Sequence, residues 1–175
     1  IVVSSFENSG QGQYTIGGNS SISISGGSTF TGNIYGGSYS KVPGNTGSTM
    51  TTAGNITVEL GTGTYRGNIY GAGNKGTAGG DVLVSLTGGS VFGAEGEQSG
   101  ITIGGSAGAA VEGNRTLELK GTFGNGDFQN VTFTRFDEIN IAQEGASATI
   151  YALTDSPALT KTGAGTLTLG ADAAG

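Results

Sequence analysis

The sequence predicts an all-β fold, a β-solenoid with Gly-rich turns and variable edge loops, in which short strands stack in successive coils. Three features of the 175-residue chain predict it: apolar and polar residues alternate with period 2, a 12-residue unit recurs, and 37 residues are glycine. Each glycine in a helix costs roughly 1 kcal/mol relative to alanine, so this composition disfavours helices as the main architecture.

The strand prediction rests on alternation. In a strand, Ile22 and Ile24 fall on one face, whereas Ser21, Ser23 and Ser25 fall on the other, which is the pattern of a half-buried strand. The same spacing recurs between Gly, Asn, Ser or Asp residues, at the pairs Ile101/Ile103, Leu117/Leu119, Val131/Phe133, Ile139/Ile141 and Leu167/Leu169.

A repeated unit gives these strands an order. Residues 26–37 (GGSTFTGNIYGG) align with residues 61–72 (GTGTYRGNIYGA) at an offset of 35, with seven of twelve positions identical. A third unit begins at Val82 with VLVSLTGGSVF. Stacked coils place equivalent residues about 4.8 Å apart and so favour the same residue in successive coils. We therefore expect Ile34 to lie over Ile69.

The same register predicts two side-chain stacks. Asn33 should lie over Asn68 and form an amide ladder at a corner, and Tyr35 should stack on Tyr70 at the outer surface. Two alternatives remain open at this point: an antiparallel sandwich or barrel, and a single duplicated β-hairpin.

The two copies differ in the segments that follow them. Residues 38–53 form a longer insert than residues 73–80, and solenoids place such differences in loops at one edge, where partners commonly dock. The first insert carries Tyr39, Lys41 and Met50, which give it more chemical variety than the surrounding Gly/Ser/Thr surface. We nominate it as a candidate partner-contact loop. The alternative is a solvated loop without a role.

Composition excludes several classes of function. The chain has no Cys, His or Trp, which excludes disulfides, Cys/His zinc sites and Ser-His-Asp triads. A net charge of −6 repels phosphate backbones, so we expect no nucleic-acid partner. The apolar runs are too short to cross a bilayer as a helix.

Paired carboxylates are the remaining route to hydrolysis, and they must lie about 5 to 10 Å apart. Asp137 and Glu138 are adjacent in a predicted strand and therefore point to opposite faces. Glu95 and Glu97 could share a face, but no cluster of aromatic residues accompanies them to hold a sugar. We therefore expect no catalytic residue and no enzymatic activity.

Two Gly- and Asp-rich fragments, residues 76–81 (GTAGGD) and 123–128 (FGNGDF), faintly echo the nonapeptide that binds calcium in β-rolls. Neither has the full spacing, and tight-turn chemistry explains both. Arg66, Lys75 and Asp81 offer the nearest mixture of base and acid for a lyase, but we expect them to be solvated surface charges. The sequence thus predicts no metal and no cofactor.

Near its end the chain becomes similar to a known family. Residues 159–170 (LTKTGAGTLTLG) resemble the autotransporter-associated β-strand repeat, whose usual form is Leu-x-Lys-x-Gly-x-Gly-x-Leu-x-Leu. Residues 133–150 look like the segment that often precedes such repeats, so the resemblance covers about the last quarter of the chain. The matching positions are Leu159, Lys161, Gly163, Gly165, Leu167 and Leu169.

The resemblance implies a right-handed parallel β-helix from the passenger region of a Gram-negative autotransporter. Such a segment is found at the cell surface or outside the cell, and is delivered by an outer-membrane barrel that lies outside this sequence. It implies a non-enzymatic adhesin or structural stalk, whose partners are proteins or glycans on host or neighbouring-cell surfaces. The alternative from another class is a carbohydrate-active enzyme or sugar-binding module on a β-helix scaffold. A disordered low-complexity linker is a third hypothesis.

We expect residues 1–175 to be a single β-solenoid domain and a fragment of a longer protein. Coils of the GNIYG type would occupy about residues 20–110, and autotransporter-like C-terminal coils about residues 111–175. The coils around residues 117–169 are then the folding and capping end.

The C-terminal motif also predicts local geometry. Leu167 and Leu169 should turn inward, whereas Thr166 and Thr168 should turn outward. The two glycines of the motif should permit a corner.

Overall fold

The computed structural model describes residues 1–6, 13–40, 49–93 and 100–170. These residues form strands and no helix, so none of them belongs to a helix that could span a bilayer. The strands of the described residues, in chain order, are β1 (Val2–Phe6), β2 (Gln13–Ile16), β3 (Ser20–Ile24), β4 (Thr29–Phe30), β5 (Ile34–Ser40), β6 (Thr49–Thr52), β7 (Ile56–Leu60), β8 (Thr64–Tyr65), β9 (Ile69–Ala72), β10 (Thr77–Ala78), β11 (Val82–Thr87), β12 (Val91–Phe92), β13 (Ile101–Ser106), β14 (Ala110–Val111), β15 (Arg115–Lys120), β16 (Val131–Thr134), β17 (Glu138–Asn140), β18 (Ser147–Ile150), β19 (Ala152–Thr154), β20 (Thr160–Thr162) and β21 (Thr166–Leu169).

Consecutive strands fall in different sheets, and neighbours within a sheet come from successive passes of the chain. We name these sheet A (β1-β5-β9-β13-β16-β19), sheet B (β2-β6-β10-β14), sheet C (β3-β7-β11-β15-β17-β20), sheet D (β4-β8-β12) and sheet E (β18-β21). Every strand pair among the described residues is parallel.

The all-β prediction is confirmed, and the parallel sheets are compatible with a β-solenoid. An antiparallel sandwich or barrel and a duplicated hairpin both require antiparallel pairs, so both alternatives are wrong for these residues.

The predicted register is also confirmed. Ile34 pairs with Ile69 and Tyr35 pairs with Tyr70, where β5 lies beside β9. On the next pass Ile103 pairs with Ile69, so one buried row of isoleucine runs across three strands of sheet A. Like residues therefore stack on like residues along the axis of the sheets.

Sheet C supplies the opposite wall of the core. Ile22 pairs with Val58, Val58 with Val84, and Val84 with Leu117, and all four side chains are buried. The serines at alternate positions of β3 are exposed, as the alternation predicted. Burying each aliphatic side chain contributes roughly 1.5–3 kcal/mol, and stacked rows repeat that gain on every pass.

Aromatic rings form a second column inside the fold. Tyr65 stacks between Phe30 and Phe92, with both centroid separations 5.6 Å. Phe92 then packs against Phe128 at 5.6 Å, and Phe128 meets Phe133 edge-on at 5.0 Å. Tyr65 is fully buried, and its hydroxyl donates to the Gly61 carbonyl over 2.7 Å. This bond satisfies the only polar group of the ring.

The glycine that follows Tyr in each GNIYG unit has a packing reason. A Cβ on Gly36 would lie 2.5 Å from Val58 Cγ2, and one on Gly71 would overlap Val82 Cγ1. Sheets A and C approach so closely here that only glycine leaves room for the valines across the core.

The cross-section changes after β14. Among the described residues, no strand of sheet B follows Val111 and none of sheet D follows Phe92. Ile56 and Val82 pair in one row of sheet C, and the next residue in that row is Arg115. Arg115 thus occupies, in this row, the position that Ile56 and Val82 occupy on the earlier passes, at the point where sheet B ends.

The C-terminal motif follows its prediction in part. Thr166 and Thr168 are exposed and Leu167 is half-buried against the core, as predicted. Gly163 has φ of 78° and forms the corner. The inward orientation predicted for Leu169 is wrong, because this residue is 52% exposed. β21 is the edge of sheet E, so Leu169 pairs with Ile150 on one side and no described strand covers the other.

Candidate functional site

The residues of the predicted contact loop are distributed over two sheets. Tyr39 lies in β5 of sheet A, and Met50 lies in β6 of sheet B, where it pairs with Tyr14. Both Tyr39 and Met50 are half-buried. Lys41 lies outside the described residues, as do residues 41–48 of the insert. The contact-loop hypothesis therefore stays a prediction.

Tyr39 belongs to a cluster of three tyrosines on the outer side of sheet A. Its ring centroid lies 4.7 Å from that of Tyr35, and Tyr35 stacks on Tyr70 at 5.4 Å with an interplanar angle of 20°. The predicted Tyr35–Tyr70 stack is confirmed. The three rings are half-buried, so they present aromatic surface to the solvent.

Asn33 binds the hydroxyl of Tyr35, the central ring of the cluster. Asn33 Nδ2 donates to Tyr35 Oη over 3.3 Å. Burial raises the pKa of Tyr35, the Asn33 hydrogen bond opposes that rise, and the neighbouring Tyr39 and Tyr70 add to it. Tyr35 is therefore a neutral phenol at physiological pH.

A cleft of about 140 Å³ opens beside Tyr70 on the same face. In sheet A, Gly104 separates Tyr70 from Thr134, because Gly104 pairs with both. A Cβ on Gly104 would lie 3.1 Å from Tyr70 Cδ1 and 3.0 Å from Thr134 Cγ2. The absence of a side chain at this position keeps space between the ring and the threonine. The residues that line the cleft are Tyr70, Thr102, Ser106, Ala107, Thr134, Arg135 and Asp155.

Arg135 and Asp155 form the charged end of the cleft. Arg135 Nε lies 3.7 Å from Asp155 Oδ2, and both side chains are substantially exposed. Among the described residues they are the only non-glycine positions with positive φ, 57° for Arg135 and 50° for Asp155. Two residues held in a conformation that costs energy meet at one cleft, which is a pattern associated with functional sites.

Sequence reasoning did not find this cleft. Arg135 follows Thr134 and Asp155 follows Thr154, and these two threonines pair in register. Tyr70 comes from a pass much earlier in the chain. No local motif links the three residues, so only the strand register could bring them together.

The corner asparagines form the predicted ladder with a different hydrogen bond. Asn33 Oδ1 accepts from the backbone N–H of Asn68 over 2.9 Å, and Asn68 Oδ1 accepts from Thr102 N–H over 2.8 Å. The stacking of Asn33 and Asn68 is confirmed, but the bonds run from backbone to side chain rather than from amide to amide.

A second ladder, not predicted from the sequence, precedes the strands of sheet C. Asn19 Oδ1 accepts from Asn55 N–H over 2.9 Å, Asn55 Oδ1 from Asp81 N–H over 3.0 Å, and Asp81 Oδ1 from Asn114 N–H over 2.8 Å. Each of these passes thus has an Asn or Asp directly before its strand of sheet C. This recurring position can be recognised in the sequence once the strand register is known. Asp81 is exposed, as expected, but it also has this structural role.

A shallow groove of about 410 Å³ runs along this second ladder. Asn55, Asp81 and Asn114 lie on it, together with Glu138. Asn114 Nδ2 donates to Glu138 Oε2 over 3.0 Å, and Thr162 Oγ1 donates to Glu138 Oε1. Both oxygens of this carboxylate are therefore used in contacts between strands.

Asp137, which directly precedes β17 of sheet C, is also paired. Arg115 binds Asp137 through two side-chain hydrogen bonds, Nε to Oδ2 at 2.8 Å and Nη2 to Oδ1 at 2.6 Å. These bonds lower the pKa of Asp137 and raise that of Arg115, because each charge stabilises the other.

On the outer face of the sheet, Lys120 Nζ lies 2.7 Å from Glu59 Oε1 and 3.4 Å from Glu118 Oε2. The Glu59 hydrogen bond is the main reason that the pKa of Lys120 is raised. The Lys120–Glu59 pair joins strands from different passes and so acts as a surface cross-link, whereas Glu118 lies in the same strand as Lys120, β15.

No group of three or more Asp, Glu, His or Cys residues in the described part of the chain is placed to hold a metal ion. In the fragment of residues 123–128, Asp127 Oδ2 accepts from Gly124 N–H over 2.8 Å, which is the turn chemistry predicted for it. Glu95 and Glu97 lie outside the described residues.

No family model, curated protein or solved structure matches the chain.

Proposed function

We propose that the chain is a passenger segment of a bacterial cell-surface or secreted protein, a right-handed parallel β-helix of autotransporter type that acts as an adhesin or structural stalk. The observation that carries the proposal is the parallel, in-register stacking of equivalent residues, such as Ile34 on Ile69 and Val58 on Val84. The sequence resemblance of residues 159–170 to the autotransporter-associated repeat supports the same reading.

The stacking suits an extended element. Successive passes of the chain pair with one another in sheets A and C, so stability grows with the number of passes and needs no central core of large volume. The two ladders add side-chain hydrogen bonds between successive passes at two corners, before the strands of sheet A and before those of sheet C. A structure of this kind can separate a binding surface from the cell without cofactors or disulfides.

The engagement of the acids supports a non-enzymatic role. Asp137 is held by Arg115, Glu138 by Asn114 and Thr162, and Asp81 by the backbone of Asn114. In glycoside hydrolysis one carboxyl group must donate a proton to the substrate and a second must face it as base or nucleophile. The carboxylates of Asp137, Glu138 and Asp81 instead accept hydrogen bonds from other parts of the chain.

Surface labelling of the source bacterium tests the proposal. Antibodies raised against this chain should label intact cells or detect the chain in the medium. Brief protease treatment of intact cells should remove the cell-surface labelling. An antibody to a cytosolic protein serves as the control for lysis. Labelling that appears only after permeabilisation would overturn the proposal.

The alternative of an enzyme on the same scaffold predicts a different result. An enzyme should release reducing ends or unsaturated products from a panel of bacterial and host polysaccharides. The expected result is no product above that of buffer. Product formation that disappears in Asp81→Asn, with the circular dichroism spectrum unchanged, would favour the enzyme.

A further inference from the structure

We propose that the cleft between Tyr70 and the Arg135–Asp155 pair binds one neutral pyranose ring of a glycan chain. This inference rests on the proposed surface function and deepens it, since it names the site and the chemical class of the partner. Four features carry it: an aromatic wall, a mixed set of donors and acceptors, a balanced charge, and a size that matches a single ring.

The aromatic wall is the ring of Tyr70. One side of this ring is covered by Tyr35, at a centroid separation of 5.4 Å, and its Cδ1 edge borders the space above Gly104. The apolar face of a pyranose, formed by its C–H groups, packs well against an aromatic side chain that is fixed in orientation. Tyr35 supplies that fixation.

The opposite end of the cleft supplies hydrogen bonds. The 3.7 Å between Arg135 Nε and Asp155 Oδ2 is longer than a hydrogen bond, so both groups retain capacity for a ligand. A guanidinium donates and a carboxylate accepts, and vicinal sugar hydroxyls need both. Thr102 and Thr134 add hydroxyl-bearing side chains to the lining.

The net charge and the volume of the cleft limit which ligands fit it. One cation faces one anion, so the cleft has no net charge to favour an acidic or a basic sugar. Its volume of about 140 Å³ is well below the range of about 300–1,000 Å³ typical of drug-sized sites, so it fits a single ring rather than a buried oligosaccharide. The rest of the glycan would extend over the tyrosine cluster.

The backbone conformation also distinguishes this cleft from an ordinary exposed surface. Arg135 and Asp155 both have positive φ, which has an energetic cost for a residue that carries a Cβ. Glycine would remove that cost at either position. The two side chains are nevertheless present, next to one another, at the charged end of the cleft.

The experiment is an NMR titration of the ¹⁵N-labelled chain. The probes are the methyl glycosides of glucose, mannose and galactose, with methyl glucuronide as the charged comparison. Binding of a single ring should be weak, with a Kd on the order of 1 mM, and should move the amide signals of Gly104, Thr134 and Arg135. Saturation by at least one neutral glycoside, with weaker binding of the glucuronide, supports the proposal.

Three variants remove cleft groups in different ways. Arg135→Gly and Asp155→Gly each delete a side chain at a position where glycine accepts the backbone conformation, so the fold should be retained. Tyr70→Ala removes the aromatic wall. Each should weaken binding by about fivefold or more. The matched controls are Tyr14→Ala and Arg66→Gly, which change exposed residues outside the cleft and should leave Kd unchanged.

The outcomes separate this inference from the proposed function. Amide shifts confined to other residues, equal loss in the controls, tighter binding of the glucuronide, or no saturable shift with any neutral glycoside would each overturn the cleft assignment. Intact-cell labelling would still support the passenger proposal in those cases. If the chain is instead intracellular, the passenger proposal fails whatever the titration shows.

Discussion

The side-chain oxygen of Asn33 accepts a hydrogen bond from the backbone N–H of Asn68 over 2.9 Å, although the two residues are 35 positions apart. A corner asparagine thus satisfies the backbone of the equivalent corner one pass later. Asn68 repeats the contact with Thr102, and the second ladder does the same before the strands of sheet C. Where sheet hydrogen bonding is interrupted at a corner, a side chain replaces it.

The ladder should be measurable as stability. Asn68→Ala removes the acceptor for the partly buried N–H of Thr102, and we expect it to lower the free energy of unfolding by about 1–3 kcal/mol. Asn68→Asp keeps an acceptor and should lose less. Urea denaturation of both variants measures the difference. Asn130→Ala, at an exposed asparagine, is the control, and an equal loss there would contradict the ladder's role.

Gly71 should not tolerate a side chain. A Cβ there would overlap Val82 Cγ1 and lie 3.1 Å from Val84 Cγ2, so Gly71→Ala should destabilise the fold by about 1–3 kcal/mol. The double variant Gly71→Ala/Val82→Ala should recover part of that loss, because space is returned at the point of overlap. Gly32→Ala is the matched control, since nothing lies within 4 Å of its added Cβ. Simple additivity of the two changes would argue against the close approach of sheets A and C.

Tyr65 separates the contribution of ring stacking from that of its hydroxyl. Its neighbours in the column, Phe30 and Phe92, show that a phenylalanine ring fits the same row. Tyr65→Phe loses the bond to the Gly61 carbonyl and should cost about 1 kcal/mol, whereas Tyr65→Ala should cost about 3–5 kcal/mol. Thermal or urea unfolding gives both values. Similar losses in the two variants would show that the stack contributes little.

The Arg115–Asp137 pair should make stability depend on pH in the acid range. The hydrogen bonds from Arg115 hold the pKa of Asp137 below its ordinary value, so the unfolded chain takes up a proton more readily than the folded one. The contribution is therefore complete above the unfolded pKa of about 4 and is lost as pH falls through the folded pKa. Because 27% of the Arg115 side chain and 33% of the Asp137 side chain are exposed, solvent screening keeps the effect modest.

Asp137→Asn tests this pH dependence. The variant should be less stable than the native chain at pH 7, and the difference between the two should shrink as pH falls below about 4. Urea midpoints measured between neutral and acid pH give that difference. A gap that is constant over this range would mean that the carboxylate's charge is not what stabilises Arg115.

Truncation after Asn130 tests the C-terminal strands as a cap. β16 and β17 cover β13 and β15, so their removal would expose the rows that contain Ile103 and Leu117. We expect a clear fall in the melting temperature and binding of an apolar dye to the shortened chain. An unchanged melting temperature would defeat the capping role. A chain ending after Leu169, which keeps the 21 strands of the described residues, is the control.

Some of this architecture follows from local pattern. The alternation around Ile22 predicts a strand with one buried face, and the repeated GNIYG unit predicts that Ile34 lies over Ile69, because identical units stack in identical ways. Leu169 shows the limit of such reasoning. Its alternation is correct, but burial also requires a covering strand, and the described chain provides none.

The sequence by itself determined the class of fold, the direction of side chains in the strands that alternate regularly and the register of the repeated units, since all three depend on spacings of a few residues or on a repeated unit. The tertiary structure alone decided which residues of different passes meet. The separation between stacked residues falls from 35 positions at Asn33 and Asn68 to 20 at Thr134 and Thr154. Because turns and loops of varying length set that separation, and no local pattern encodes it, only the folded chain places Tyr70, Arg135 and Asp155 around one cleft.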